Sequence, residues 1–336
     1  NLEHAAWNSL RATEDARYVG LCMPRFLGRL PYNPIDGTTV EVDTDDLQWI
    51  GVNAPRSAVT ALPAGHLFDY QSWIVRRAFE RERFAIFAGT GQGKTAMQLD
   101  WARLVLERCG GKVIILAPLN VVRQTIAESE RFYGGALPVA ELTKRADLDA
   151  WLASDATGIG ITNYEKFDQK HTDDESGSND DVTNLKYGTG DMWPVSGVIL
   201  DESSMLKSHY GKWGQVCLRL GRGLEWKLCL TGVPAPNDRI EYANHAVFMD
   251  QFPTVNSFLA RYFVNRGMTG ERWELKPHAL KPFYVSLSHW CIFLSDPATY
   301  GWKDNTEPLP PIHTHIHDVD LTADQRNEVR LQTGEL

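Results

Sequence analysis

A glycine-rich segment, "AGTGQGKT" (Ala88–Thr95), carries a lysine and a threonine just before a helical pattern. Gly91 and Gly93 let the backbone turn so that its N–H groups point at an anion, and the following helix adds its positive N-terminal dipole. Lys94 supplies a positive charge for the β- and γ-phosphates, and the Thr95 hydroxyl is placed for Mg²⁺. The general pattern is G-x-x-x-x-G-K-[ST], and here alanine replaces its first glycine. The segment predicts a phosphate-binding loop for ATP and Mg²⁺, with contacts from Thr90, Gly91, Gln92, Gly93, Lys94 and Thr95.

Two carboxylates, Asp201 and Glu202, end the apolar run "GVILDE". If this run is a strand, both lie at the carboxyl edge of a sheet, where the ligands of α/β folds bind. Asp201 is then placed to hold Mg²⁺ through water, and Glu202 to orient the attacking water. The alternative is an ordinary solvated loop or helix cap. Two further apolar runs separate the pair from Lys94, and this spacing favours Lys94, Asp201 and Glu202 as catalytic residues.

Five short apolar runs recur between helical patterns and would position these groups. They begin at Arg83 ("RFAIFA"), Lys112 ("KVIILAP"), Gly158 ("GIGITNY"), Gly197 ("GVILDE") and Trp226 ("WKLCLTG"). Nearly continuous apolar runs are typical of strands that are covered on both faces, as in a parallel sheet. The segments between them carry apolar residues at helical spacing. The alternation predicts an α/β fold with a doubly wound parallel sheet.

The composition excludes several classes of protein. With 43% hydrophobic and 23% charged residues, the chain of 336 residues is typical of a soluble globular protein with two or three domains. No apolar run is long enough to cross a membrane, and the five cysteines are too scattered for a zinc or redox motif. We therefore expect a cytoplasmic protein without a membrane partner. The net charge of −9 argues against a broad basic face but leaves local contacts to nucleic acid open.

Further motifs follow in order between about Leu67 and Gln325. They are "LFDYQSWIV", "APLNVVRQT", "ITNYEKF", "LDESSMLKS" and "LTGVPAPN". Together with the phosphate loop, they resemble superfamily 2 helicases, most closely the Swi/Snf-type DNA-dependent ATPases in a phage-like form. The resemblance implies a RecA-like phosphate-loop NTPase that hydrolyses ATP and moves on duplex DNA. Ser203 and Ser204 stand where many members of that family have Ala-His, and Val233 stands where threonine is common.

The same resemblance implies roles for individual residues. Gln71 would read the edge of the adenine base. Pro118 and Asn163 would contact the DNA backbone, and contacts of this kind are sensitive to salt and nearly blind to sequence. Thr231 and Gly232 would couple the nucleotide state to the grip on DNA.

The resemblance also suggests how the chain is divided. We expect a first RecA-like lobe at residues 49–250, a helical extension at 251–310 and the start of a second lobe at 311–336. The polar stretch 168–191 is expected to be a mobile surface insertion, because it has little apolar surface to bury. In the family, an arginine finger belongs to the second lobe, and it is worth about 10³–10⁵ in rate. We interpret the chain as a fragment with cut ends that binds nucleotide and hydrolyses it slowly.

The first 45 residues resemble a different protein. The runs "RATEDARYVGL", "PRFL" and "RLPY" are similar to the large sheath subunit of type VI secretion systems. No chemistry follows from this segment, which with its linker covers residues 1–48. We interpret it as a piece of another protein joined to the chain, and a genuine gene fusion is the alternative.

Two alternatives to the DNA-dependent ATPase remain open. One is a structural protein related to the sheath, or a hybrid whose nucleotide site is vestigial. The other is a motor of the restriction type or an RNA helicase. Nucleotide binding that depends on Lys94 tests the first alternative, and stimulation by duplex DNA against RNA tests the second.

Overall fold

The computed structural model of the chain describes residues 64–167, 194–208, 210–267, 272–300 and 302–303. Three predicted segments lie outside these ranges: the sheath-like segment with its linker (1–48), the surface insertion (168–191) and the start of a second lobe (311–336). The described residues form a layered α/β unit, with helices on both faces of a central sheet.

The strands within the described ranges belong to two sheets. They are β1 (Arg83–Ala88), β2 (Lys112–Ala117), β3 (Val139–Glu141), β4 (Gly158–Asn163), β5 (Gly197–Asp201), β6 (Trp226–Thr231), β7 (Phe263–Asn265), β8 (Trp273–Leu275) and β9 (Cys291–Leu294). Seven of them form a parallel sheet in the order β3-β4-β2-β5-β6-β1-β9, and β7 pairs with β8 in a separate antiparallel hairpin. All the parallel pairs place their carboxyl ends at one edge, which we call the carboxyl edge.

Helices cover both faces of the parallel sheet. They are α1 (Asp69–Arg81), α2 (Lys94–Cys109), α3 (Val122–Tyr133), α4 (Arg145–Ala153), α5 (Lys212–Leu220), α6 (Tyr242–Phe248), α7 (Val255–Tyr262) and α8 (Leu280–Trp290). One hydrophobic cluster packs α1, α2 and α3 against the sheet, and a second packs α4 to α8 against the other face. None of the helices described is long and apolar enough to cross a membrane.

The doubly wound parallel fold predicted from the apolar runs is confirmed. The five runs are β1, β2, β4, β5 and β6, which form the contiguous centre of the sheet together. Their residues are almost entirely buried, as expected for strands covered on both faces.

Two strands of the sheet were not predicted. β3 has three partly exposed residues at an edge, which is too short for a periodic signal. β9 follows α8 directly, without turn residues, and its four apolar residues merge with the apolar pattern of that helix. β9 lies in the segment 251–310, where we expected helices alone, and it pairs with β1 beside the phosphate loop.

Candidate active site

The ends of three adjacent strands bring the predicted catalytic residues together. In the parallel sheet β6 lies between β1 and β5, with Phe87 paired to Thr231 and Leu230 paired to Asp201. Neighbouring strands are about 4.8 Å apart, so residues that follow these three strand ends lie side by side at the carboxyl edge. The phosphate loop follows β1, Asp201 ends β5 with Glu202 directly after it, and Thr231 ends β6 with Gly232 directly after it.

The phosphate loop has the backbone conformation that its glycines predict. Gly91 has φ of 83° and Gly93 has φ of 75°, a region that residues with a side chain rarely adopt. A Cβ atom at Gly93 would also collide with the side-chain amide nitrogen of Gln71. The loop is held from the other side by β9, because the N–H of Gly89 donates to the Leu294 carbonyl at 2.8 Å. These constraints fix the turn that leads into α2.

Lys94, the first residue of α2, bends back over the loop. Its Nζ donates to the carbonyl oxygens of Ala88 at 2.9 Å and Gly89 at 3.1 Å. A Cβ at Gly232, at the end of β6, would lie 3.9 Å from the same Nζ. Burial lowers the pKa of Lys94, while the nearby carboxylates of Glu202 and Asp201 act in the opposite direction. The ammonium group therefore lies against the loop, where a phosphate would replace its two carbonyl contacts.

Glu202 is held in a defined orientation by β6. Its Oε1 accepts a hydrogen bond from the Thr231 hydroxyl at 2.5 Å, and that hydroxyl accepts from the N–H of Val233 at 3.2 Å. The backbone of Glu202 has φ of 54°, which for a residue other than glycine costs about 1–3 kcal/mol and is concentrated at functional sites. The contact links the acidic pair directly to the motif that the resemblance assigns to coupling.

Asp201 is fixed through both of its carboxylate oxygens. Oδ1 accepts from the N–H of Glu202 at 3.0 Å, and Oδ2 accepts from the amide of Gln98 on α2 at 3.3 Å. The backbone carbonyl of Asp201 accepts from the Tyr164 hydroxyl at 2.8 Å. Burial raises the pKa of Asp201, and the hydrogen bond from Gln98 opposes that rise. Thr95 is half-buried at the start of the same helix.

Gln71 binds the phosphate loop in this structure. Its Nε2 donates to the Gln92 carbonyl at 3.2 Å and to the Tyr70 hydroxyl at 3.3 Å, while its Oε1 accepts from the N–H of Phe68 at 3.0 Å. Gln92 itself is buried and Thr90 is exposed. Gln71 thereby joins the start of α1 to the loop, and its reading of the adenine base stays a prediction.

The predicted DNA contacts lie at the same edge but on other strands. Pro118 follows β2 and Asn163 ends β4, beyond β5 from the phosphate loop. Asn163 is buried and donates to the Glu165 carboxylate at 2.6 Å, whereas Leu119, next to Pro118, is 60% exposed. The two predicted groups of residues are therefore neighbours along one edge, and Tyr164 connects them through its bond to Asp201.

The donor set fits ATP and Mg²⁺. The loop offers a helix N-terminus and a lysine for phosphates, and Asp201 and Thr95 offer the oxygen ligands that Mg²⁺ prefers. Among the described residues no cluster of three or more His, Cys, Asp or Glu could hold a metal. A magnesium site needs no such cluster, because phosphate and water supply most of its ligands. When bound, the metal would neutralise the negative charge that the phosphates carry and develop.

Two residues near the site were missed from sequence. Gln98 lies one turn after Lys94 on α2 and is a polar residue among apolar ones, so helical spacing could have identified it. His245, on α6, is fully buried, and its Nε2 lies 3.0 Å from the hydroxyl of Ser203, directly after Glu202. No sequence signal marks that contact, because it joins residues 42 positions apart.

Comparisons with known proteins find two unrelated resemblances. The family model of the tail sheath N-terminal domain, VipB (EvpB/VC_A0108), matches residues 1–55. The sheath protein TssC1 of the type VI secretion system of Pseudomonas aeruginosa is 53% identical over 47 residues, which are 13% of this chain and 9% of that protein. The predicted resemblance of the N-terminal segment to a sheath subunit is confirmed.

The remaining part resembles a phage protein. Protein p41 of Acyrthosiphon pisum secondary endosymbiont phage 1 is 28% identical over 279 residues, which are 80% of this chain and 57% of that protein. The chain thus spans little more than half the length of this relative.

Solved structures similar to the chain include two of one ATPase core and one of a helicase domain. The SWI2/SNF2 ATPase core domain of Sulfolobus solfataricus matches with a TM-score of 0.49 and 17% identity, covering 71% of this chain and 46% of that one. The same core in complex with dsDNA matches with a TM-score of 0.47 and 15% identity, covering 72% of this chain and 46% of that one. The Hef helicase domain of Pyrococcus furiosus matches with a TM-score of 0.40 and 19% identity, covering 60% of this chain and 41% of that one.

Proposed function

We propose that this chain carries the ATP-binding and hydrolysing lobe of a DNA-dependent ATPase. The observation that carries the proposal is the meeting of the ends of β1, β6 and β5, which brings the phosphate loop with Lys94 and the pair Asp201–Glu202 to one part of the carboxyl edge. In an uncharacterised site, a positioned lysine, two carboxylates and a helix N-terminus match phosphoryl transfer.

Each residue has a defined task in this proposal. Lys94 exchanges its two loop carbonyls for phosphate oxygens, and Asp201 and Thr95 hold Mg²⁺. Glu202, oriented by Thr231, positions the attacking water and accepts its proton. Movement on duplex DNA, as a property of the whole protein, is part of the same proposal.

Lys94→Ala tests the nucleotide site. A charge-assisted hydrogen bond contributes about 1.5–3 kcal/mol, so we expect the variant to lose about 10- to 150-fold in affinity for a fluorescent ATP analogue with Mg²⁺. Fluorescence titration of the 336-residue chain measures this loss. Lys281→Ala, which removes an exposed lysine from α8, serves as the control and should bind like the native chain. Equal binding by all three proteins would remove the basis for the ATPase proposal.

We assign duplex DNA to the part of the carboxyl edge that follows β3, β4, β2 and β5. Arg123, Arg145, Lys166 and Lys207 lie in the segments after these strands, and Arg123 is 88% exposed. Two of these cations have carboxylate neighbours: Arg123 is 3.9 Å from Glu141, and Arg145 is 3.0 Å from Asp149. Arginine and lysine at the edge of a rigid sheet fit contacts to phosphates, which position a duplex without reading its bases.

The double variant Arg123→Ala/Lys207→Ala tests this assignment. Each lost phosphate contact lowers the magnitude of the slope of log K against log salt by about one. We therefore expect the double variant to lower that magnitude by about two. Fluorescence anisotropy with a labelled duplex at several salt concentrations measures the slope. Arg108→Ala/Arg222→Ala removes two exposed arginines from the opposite edge and should leave the slope unchanged. Tighter binding of RNA than of duplex DNA would instead favour the RNA helicase alternative.

A second candidate rests on the match of residues 1–55 to the sheath domain. In this candidate the chain is a structural hybrid with a vestigial nucleotide site. The Lys94→Ala titration distinguishes the two, because a vestigial site predicts no nucleotide binding that depends on this lysine.

A further inference from the structure

Gln98 is a buried polar side chain that contacts the acidic pair from α2. It lies three residues after Thr95 and four after Lys94, so the three side chains share one face of the helix. Its side chain has no exposed surface, and its neighbours on α2, Met97 and Leu99, are also fully buried. Its Nε2 donates to Oδ2 of Asp201 at 3.3 Å.

The charge of Asp201 determines which way the amide of Gln98 points. If the amide were reversed, its oxygen would face a carboxylate oxygen, and two acceptors would repel each other. The observed orientation leaves Oε1 of Gln98 buried, with no hydrogen-bond partner in the described part of the chain. Buried acceptors without a partner are uncommon and call for an explanation.

Mg²⁺ bound at such a site keeps several of its water molecules, and these are hydrogen-bond donors. An acceptor beside the carboxylate that holds the ion suits such a water. Groups that orient a metal ligand are typically worth about 10- to 100-fold in metal affinity.

We propose that Gln98 is a positioning residue for the magnesium ion. Its Nε2 orients the carboxylate of Asp201, and its Oε1 is the acceptor for a water of the metal. One face of α2 then carries three functional side chains. Lys94 binds phosphate, Thr95 binds the metal, and Gln98 orients the Asp201 carboxylate that holds the metal. The inference rests on the proposed ATPase function and adds a residue to its metal site.

The test measures the affinity for nucleotide and the affinity for Mg²⁺ separately. Methylanthraniloyl-ATP is titrated into the full chain in EDTA, and the complex is then titrated with Mg²⁺. We expect Gln98→Met, which keeps the length and removes both hydrogen bonds, to raise the Mg²⁺ midpoint about tenfold and to leave the affinity in EDTA unchanged. Gln124→Met, at an exposed glutamine of α3, should behave like the native chain.

Three outcomes would overturn the inference in different ways. An unchanged midpoint in Gln98→Met removes the role toward the metal while the nucleotide site stands. An equal loss of affinity in EDTA and in Mg²⁺ shows that Gln98 only supports the fold. Absence of Lys94-dependent binding in the native chain contradicts the proposed function, and this inference with it.

Discussion

Glu202→Gln is expected to bind ATP as tightly as the native chain and to hydrolyse it about a thousandfold more slowly, since general base catalysis contributes about 10²–10⁴ in rate. Glutamine retains an oxygen that can accept the hydrogen bond from Thr231, which is 2.5 Å long in the native chain. The strained backbone at this position, with φ of 54°, makes no demand on the end of the side chain. The substitution therefore removes the proton acceptor and leaves the local geometry in place.

The measurement must resolve a rate that the substitution lowers about a thousandfold. Release of inorganic phosphate is followed under single-turnover conditions, with the chain in excess over ATP, and the affinity is determined separately with the fluorescent analogue. Glu80→Gln removes an exposed carboxylate from α1 and serves as the matched control. If Glu202→Gln and the control hydrolysed ATP at the same rate, another group would have to be the base. If Glu202→Gln lost affinity as well, its role would include nucleotide binding.

Most of the nucleotide site was predictable because its residues are local in sequence. The phosphate loop is one continuous segment, and its glycines, lysine and threonine have specific chemical roles at fixed spacing. The carboxylates end an apolar strand, and the carboxyl ends of parallel strands meet at one edge. The strand order came from the structure: β6 lies between β1 and β5, which places Asp201 beside Leu230 and Phe87 beside Thr231.

The contacts that hold these groups in place were not predictable in the same way. The bond from Gln98 to Asp201 spans 103 residues, and that from Tyr164 to the Asp201 carbonyl spans 37. Each depends on which helix or strand packs beside β5, and no short segment records that choice. Gln71 shows the same limit: its amide binds the loop, whereas the resemblance indicated only a contact to the base. β9 was missed because its four apolar residues directly follow an apolar helix, and so short a run shows no hydrophobic periodicity that separates it from the helix.

The buried ring of His245 leads to the second large expected effect, on stability rather than on activity. Burial lowers the pKa of His245 to about 4 from its ordinary value of 6.5. The ring has no exposed surface, lies edge-on to Phe87 with centroids 5.3 Å apart, and contacts the hydroxyl of Ser203 at 3.0 Å. A neutral imidazole fits this position, and a charged one would be desolvated among apolar groups.

The sign of the pH dependence follows from proton linkage. Between pH 6.5 and 4 the unfolded chain binds a proton at His245 that the folded chain does not bind, so the free energy of unfolding falls as the pH falls. Its contribution is fully present above pH 6.5 and is lost progressively down to pH 4. A shift of this size corresponds to about 3 kcal/mol in total, of which about 2 kcal/mol lies between pH 7.5 and pH 5.

Urea unfolding at pH 7.5 and pH 5, followed by tryptophan fluorescence, measures the effect. His245→Gln keeps a hydrogen-bonding side chain toward Ser203 and removes the titration, so we expect it to lose about 2 kcal/mol less than the native chain over this range. The comparison cancels the other titrating groups, including Asp201, whose pKa is raised by burial and acts with the opposite sign. His278→Gln is the matched control, since His278 is exposed just before α8 and the variant should behave like the native chain. Equal pH dependence in the native chain and in His245→Gln would mean that the ring is protonated without cost. Because Ser203 follows Glu202 directly, the Ser203–His245 contact would then have to accept a charge beside the proposed catalytic residue Glu202.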